Sequence, residues 1–115
     1  MNPKRKTMAW IILVFAGLFE VAFTFCLGKA KELTGMAAAW WYAGFFVAMS
    51  ISMLLLMRAI KDLPIGTAYA VWTGIGAVGT VLVGILFFRE PVTFWRLFFM
   101  STLIISIVGL KVFAH

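Results

Sequence analysis

One acidic residue stands inside a long apolar segment, where its type and position suit it to transport chemistry. Glu20 lies 12 residues after Met8 and 8 residues before Gly28, in a run of 21 residues that carries no other charge. At helical rise it is about 18 Å from one end of this run and about 12 Å from the other. An ionised carboxylate near the middle of a bilayer costs at least about 2.5–3.5 kcal/mol, so its charge needs relief.

Three kinds of relief are open to Glu20: a paired cation, a neutralising proton, or contact with water. No Lys or Arg lies deep in any apolar run of this chain, so the cation or the proton must come from outside. A carboxylate that exchanges a proton for a cation is the physical core of a proton-coupled antiporter. The alternative is a protonated glutamate that only hydrogen-bonds another helix, although acids within the membrane are functional by default.

Aromatic and hydroxyl side chains in other apolar runs are candidate neighbours of Glu20. Tyr69 and Trp72 lie three residues apart and therefore share a helix face, where they could form an aromatic wall for a cation. Ordinary packing or an interfacial belt is the alternative for this pair. Ser52 could hydrogen-bond Glu20 and orient its oxygens, or it could bond back to its own helix.

Paired glycines mark a possible weak point in the third apolar run. Gly74 and Gly76 follow Ala70, and Ala70 with Gly74 forms a small-xxx-small pair that lets helices approach closely. Glycine pairs are also sites of helix bending. The pattern predicts close helix packing together with a hinge at Gly74 and Gly76.

The composition identifies the class of protein that must position these residues. Of the 115 residues 64% are hydrophobic and 12% charged, and the mean hydropathy is +1.08, which excludes a soluble enzyme and a disordered chain. The single Cys26 and the single, terminal His115 exclude an internal disulfide, a zinc site and a histidine-based triad, so we expect no metal and no cofactor. The net charge of +6 suits lipid headgroups better than nucleic acid in so apolar a chain.

Four runs are long enough to cross a hydrocarbon core of about 30 Å as helices. They are residues 8–28, 36–57, 65–88 and 95–113. Short links predict antiparallel neighbours, so we expect one all-α transmembrane domain over residues 1–115. The basic start resembles a signal peptide, but the apolar run that follows is too long and contains a glutamate, so we expect no cleavage.

These features together resemble the small multidrug resistance family of bacterial transporters. The resemblance covers the whole chain and is most specific in the string PIGTAYAVWTGIG of residues 64–76. This string, with residues 17–21 (GLFEV) and 109–111 (GLK), is similar to the guanidinium exporter (Gdx) subtype rather than to the quaternary-ammonium subtype.

The resemblance implies an antiparallel dimer in the bacterial inner membrane, with one shared site that holds both central glutamates. Glu20 would bind cation and proton in competition, while Tyr69 and Trp72 would line the site and Tyr69 would gate it. Ser52 would tune the glutamate. Further residues expected to line the site are Gly17, Phe23 and Thr24.

A guanidinium cation suits such a site because its planar fork of N–H donors fits a carboxylate in bidentate fashion. It is also hydrated more weakly than an ammonium ion, so its desolvation costs less. The leading hypothesis is therefore a proton-coupled exporter of guanidinium-type cations and not an enzyme. A quaternary-ammonium exporter and a non-transporting accessory subunit are the alternatives.

Two features favour a partner that is related but not identical. The subtype commonly has a tryptophan where this chain has Phe23, which lacks an N–H donor. Lysine and arginine residues are also unevenly distributed, with six on the side of the N-terminal tail and four on the opposite side. Because basic residues favour the cytoplasmic side, this excess favours an N-terminus in the cytoplasm. The six are Lys4, Arg5, Lys6, Arg58, Lys61 and Lys111, and the four are Lys29, Lys31, Arg89 and Arg96. A homodimer remains the alternative.

Overall fold

The computed structural model describes residues 3–113, which form four α-helices joined by short links. The helices are α1 (Pro3–Glu32), α2 (Gly35–Ala59), α3 (Ile65–Phe87) and α4 (Phe94–Val112). All four are long and apolar enough to cross a membrane. The prediction of an all-helical protein with four spans is confirmed. His115, which the sequence analysis excluded from any site, lies outside the described residues.

Helix α1 extends past its predicted span at both ends. Its 30 residues reach about 45 Å at helical rise, more than the hydrocarbon core requires. The extra turns carry the basic residues of the N-terminus and of the last turn, Lys29 and Lys31. We therefore expect these turns at the depth of the headgroups, where cationic side chains are favoured.

Local signals explain where the other helices begin. Gly35 has a φ of +64°, a left-handed conformation that glycine adopts without steric cost, and it opens α2 three residues after the end of α1. Pro64 precedes the first residue of α3. The Thr93 hydroxyl accepts a hydrogen bond of 3.2 Å from the Arg96 backbone N–H and so caps α4.

Helix α1 lies at the centre of the arrangement, packed against α2 and α3, whereas α4 packs mainly against α3 and reaches α1 through Lys111, whose Nζ is 5.6 Å from the centre of the Trp10 ring. The links make α1 and α3 run parallel, with α2 antiparallel to both. We call the end of the bundle that carries the start of α1 and residues 60–64 the tail side. The opposite end, with residues 33–34 and 88–93, is the link side.

The tail side is closed by a buried apolar cluster and by ion pairs. The cluster includes Leu13, Leu56 and Val71. Asp62, which is buried, accepts from Arg5 at 3.1 Å and from Arg58 at 3.2 Å. One carboxylate thus joins the start of α1 to the residues that follow α2 on the tail side.

Candidate functional site

Glu20 projects from α1 onto the backbone of α3 at Gly76. A Cβ atom added at Gly76 would overlap the Glu20 carboxyl group, so only glycine leaves room for that group at this position. Glu20 is half-buried, and its Oε1 atom is buried without a hydrogen-bond partner among residues 3–113. Since buried polar atoms are nearly always paired, this oxygen is open to a proton, a water molecule or a cation.

The charges of the described chain lie away from Glu20, toward the two ends of the bundle. Asp62 pairs with two arginines on the tail side, and Glu90 pairs with Arg96 at 2.8 Å on the link side. No basic side chain of residues 3–113 forms an ion pair with Glu20 in the structure. The same residues contain no cluster of three His, Cys, Asp or Glu that could hold a metal ion.

Ser52 joins three helices one turn from Glu20 on the tail side. Its hydroxyl donates to the Ala16 carbonyl oxygen at 2.7 Å and accepts from the Trp72 indole Nε1–H at 2.9 Å. Ser52 is fully buried (0% exposed), and Trp72 is nearly so (9%). The predicted bond from Ser52 to Glu20 is therefore not the one observed, and neither is a bond to its own helix.

The observed bond still connects Ser52 to the glutamate through the backbone. In a continuous α-helix the Ala16 carbonyl accepts the backbone N–H of Glu20, four residues later. Ser52 thus donates to the same oxygen that receives the Glu20 amide. Ser50, on the same helix, instead bonds back to Phe46 at 2.8 Å and faces outward. Of the two serines, only Ser52 reaches α1.

Tyr69 and Trp72 lie next to each other, as their spacing predicted, but in different surroundings. Their ring centroids are 5.6 Å apart. The Trp72 indole points toward Ser52 and bonds to it. Tyr69, by contrast, is 57% exposed within a single chain. An aromatic surface therefore continues from the interior to the outside of the single chain.

The other residues expected to line the site have separate contacts. Phe23 packs edge-on against Phe45 of α2, with ring centroids 5.6 Å apart, and supplies no polar group to the site. Gly17 lies against Ile75 of α3, where a Cβ atom would come within 2.6 Å of the isoleucine side chain. Their roles in binding stay predictions.

Thr24 forms a contact that the sequence analysis did not include. Its hydroxyl lies 2.7 Å from the Thr80 hydroxyl of α3 and donates to the Val21 carbonyl at 2.9 Å. Thr24 follows Glu20 by four residues, and Thr80 follows Gly76 by four. In two parallel helices that meet at Glu20 and Gly76, this equal spacing was a signal that could have identified Thr80.

Both glycines of the predicted hinge lie within an unbroken α3. Gly76 accommodates Glu20, and a Cβ atom at Gly74 would come within 2.6 Å of Ile107 of α4. Each glycine therefore allows a neighbouring side chain to approach the backbone. Bending at this pair stays a prediction.

Comparison with known proteins identifies the family. The family model described as Small Multidrug Resistance protein matches residues 8–104. A guanidinium exporter of Escherichia coli (strain K12) is 44% identical over 108 residues, which cover 94% of this chain and all of that protein. A guanidinium exporter of Salmonella typhimurium (strain LT2) is 45% identical over 94% of this chain and 100% of its own length. A guanidinium exporter of Yersinia pestis is 46% identical over 90% of this chain and 97% of its own length.

The chain is accordingly a multi-pass protein of the bacterial inner membrane and a transporter rather than an enzyme. The family match extends from α1 into α4 and includes Glu20 together with the α3 backbone that it touches. On this evidence the chain belongs to the small multidrug resistance family.

Proposed function

We propose that this protein exports guanidinium-type cations in exchange for protons, with both competing for Glu20. The observation that carries the proposal is the half-buried Glu20 carboxyl, whose Oε1 has no partner among the described residues. The names of the relatives support the class of substrate, since each of those cited is a guanidinium exporter.

The chemistry of the site suits this substrate. A carboxylate offers two oxygens in one plane, which match two parallel N–H donors of a guanidinium ion. When the cation leaves, the carboxylate is again an uncompensated charge in a low-dielectric region, so protonation becomes favourable. Binding of one ligand therefore excludes the other, and exchange couples their movements in opposite directions.

Ser52, Trp72 and Tyr69 position the site in this proposal. Ser52 holds the Trp72 indole by a hydrogen bond and contacts the backbone turn that ends at Glu20. Tyr69 packs beside Trp72 and presents an aromatic face to an incoming cation. The pair would stabilise a planar cation by stacking while the carboxylate neutralises its charge.

We further propose that the working unit is an antiparallel dimer. A single chain leaves Tyr69 exposed and buries no residue of the described α4, so much apolar surface lacks a protein partner. The excess of basic residues on the tail side favours one orientation, and Phe23 gives Glu20 no hydrogen-bond donor. Both features favour a related, non-identical subunit inserted in the opposite orientation.

Replacing Glu20 by glutamine is expected to abolish guanidinium-driven proton flux, because the amide neither takes up a proton nor pairs with a cation. In liposomes that hold the chain together with an oppositely oriented relative, flux should fall to that of protein-free liposomes, measured with a pH-sensitive dye. Glu20→Asp keeps an acid at this position and should retain measurable exchange. Glu20→Gln protein that elutes as the wild-type oligomer and still moves protons on guanidinium addition would exclude the mechanism.

Competition for one carboxylate also predicts how substrate affinity depends on pH. At low pH, where Glu20 is mostly protonated, the apparent affinity for guanidinium should increase about tenfold for each unit by which the pH is raised, because one proton must leave for each cation bound. The rise should level off once Glu20 is largely ionised. Equilibrium binding of guanidinium measured from about pH 6 to 9 tests this. An affinity independent of pH across this range would argue decisively against competition.

The two serines of α2 provide a matched pair of variants. Ser52→Ala leaves the buried Trp72 N–H without its acceptor, which should destabilise the protein by about 1–3 kcal/mol and weaken guanidinium binding. Ser50→Ala removes an exposed hydroxyl and should change stability by no more than about 0.5 kcal/mol. Unfolding in detergent and binding isotherms measure both effects. Equal losses in the two variants would show that Ser52 has no special role.

Orientation tests the nature of the partner. When this chain is expressed alone, reporters at both termini should show a cytoplasmic N-terminus, and the chain should not transport by itself. Co-expression with an oppositely oriented relative should then restore guanidinium-driven proton flux. Mixed orientation with transport by the single chain would instead establish a homodimer.

A further inference from the structure

A cavity of about 440 Å³ lies between α1 and α3 on the link side of Glu20. Its lining includes hydroxyl groups and charged side chains. The groove between α3 and α4, by contrast, is lined mainly by apolar side chains such as Val81, Phe99 and Leu103. A polar cavity between two membrane-spanning helices needs a physical explanation, because polar groups exposed to hydrocarbon are costly.

The cavity runs from the end of the bundle toward the glutamate. Lys31, Glu32 and Glu90 line it near the polar ends of α1 and α3. Thr24 and Thr80 also line it, and their hydroxyls meet at 2.7 Å. Because each threonine is four residues beyond Glu20 or Gly76, the hydroxyl pair is about one helical turn, roughly 5.4 Å, from the level of the carboxyl.

The hydroxyl pair has free capacity for water. Thr24 donates to the Val21 carbonyl, and Thr80 can then donate to Thr24, which leaves acceptor lone pairs on both oxygens. The cavity is far larger than the roughly 10–15 Å³ that one water molecule requires, and its polar lining supplies the partners that a buried water needs. Both conditions for hydration are met.

The opposite direction from Glu20 is closed. One turn toward the tail side, the buried Ser52 and Trp72 bridge the helices, and beyond them lies the apolar cluster with Leu13 and Val71. Within one chain, therefore, a polar cavity approaches the level of Glu20 from the link side, whereas buried side chains close the tail side.

We propose that the cavity between α1 and α3 is a water passage through which protons move between Glu20 and the link side. A proton passes from water at the Thr24–Thr80 pair to the Glu20 carboxylate and forms a neutral carboxyl group. For net exchange the proton must leave toward the opposite side when a cation binds, so the passage serves proton movement in only one of the two access states. This inference rests on the proposed exchange function for the direction of proton flow, but hydration of the passage does not depend on it.

Cysteine accessibility tests the passage without any transport measurement. In a Cys26→Ala background, Thr80→Cys places a thiol in the passage, and Val78→Cys places one beside the apolar grooves of α3 and α4. In liposomes with a charged, water-soluble thiol reagent on both faces, position 80 should react at least about tenfold faster, since thiolate formation needs water. Equal rates, or faster reaction at position 78, would overturn the proposal.

Removal of the hydroxyl tests its part in proton movement. Thr80→Val keeps the shape but removes the hydrogen bond, and it should slow guanidinium-driven proton flux about tenfold while equilibrium guanidinium binding is unchanged. Thr80→Ser should restore the rate. Thr73→Val, at an exposed position of α3, is the control and should alter neither quantity.

The outcomes separate the two proposals. Unchanged flux in Thr80→Val would exclude a role for the hydroxyl pair in proton movement. Absence of guanidinium-driven flux in the wild-type chain reconstituted together with an oppositely oriented relative would instead refute the exchange function, and the labelling rates at positions 80 and 78 would still determine whether the passage contains water.

Discussion

A carboxyl group without a counter-charge, held among apolar helices, is the constraint on which the rest of this structure depends. Glu20 has no basic partner in the described chain, and one of its oxygens lacks a hydrogen bond. Hydrocarbon does not stabilise an isolated charge, so the group must take up a proton or a cation. Helix α3 provides the space for this group at Gly76, where the absence of a side chain lets the carboxyl lie between the helices.

Polar contacts between the central helices are arranged in levels along α1, about one turn apart. On the tail side Ser52 joins the Ala16 carbonyl to the Trp72 indole, and on the link side Thr24 meets Thr80. Glu20 occupies the level between them. The first level is fully buried, whereas the second borders a polar cavity. This asymmetry within one chain means that an oppositely inserted subunit would present its cavity to the other side of the membrane.

Much of this protein was predictable because of strong physical requirements on a membrane chain. Apolar runs of about 20 residues can satisfy their backbone hydrogen bonds in lipid only as helices, so the four spans and their approximate limits followed from the sequence. The same reasoning marked Glu20 as a candidate site residue, since an acid in such a run is costly. The adjacency of Tyr69 and Trp72 needed only helical periodicity.

Contacts between helices depended on packing that no single segment specifies. Ser52 bonds to Ala16 rather than to Glu20, because the crossing of α1 and α2 brings that carbonyl closest to the hydroxyl. Gly76 makes room for a side chain, a function that the sequence alone did not separate from that of a hinge. Thr80 met Thr24 because α1 and α3 run parallel in register at Glu20. The sequence determined which residues are costly in a membrane, and the tertiary structure alone decided which neighbours relieve that cost, because the relief comes from atoms on other helices.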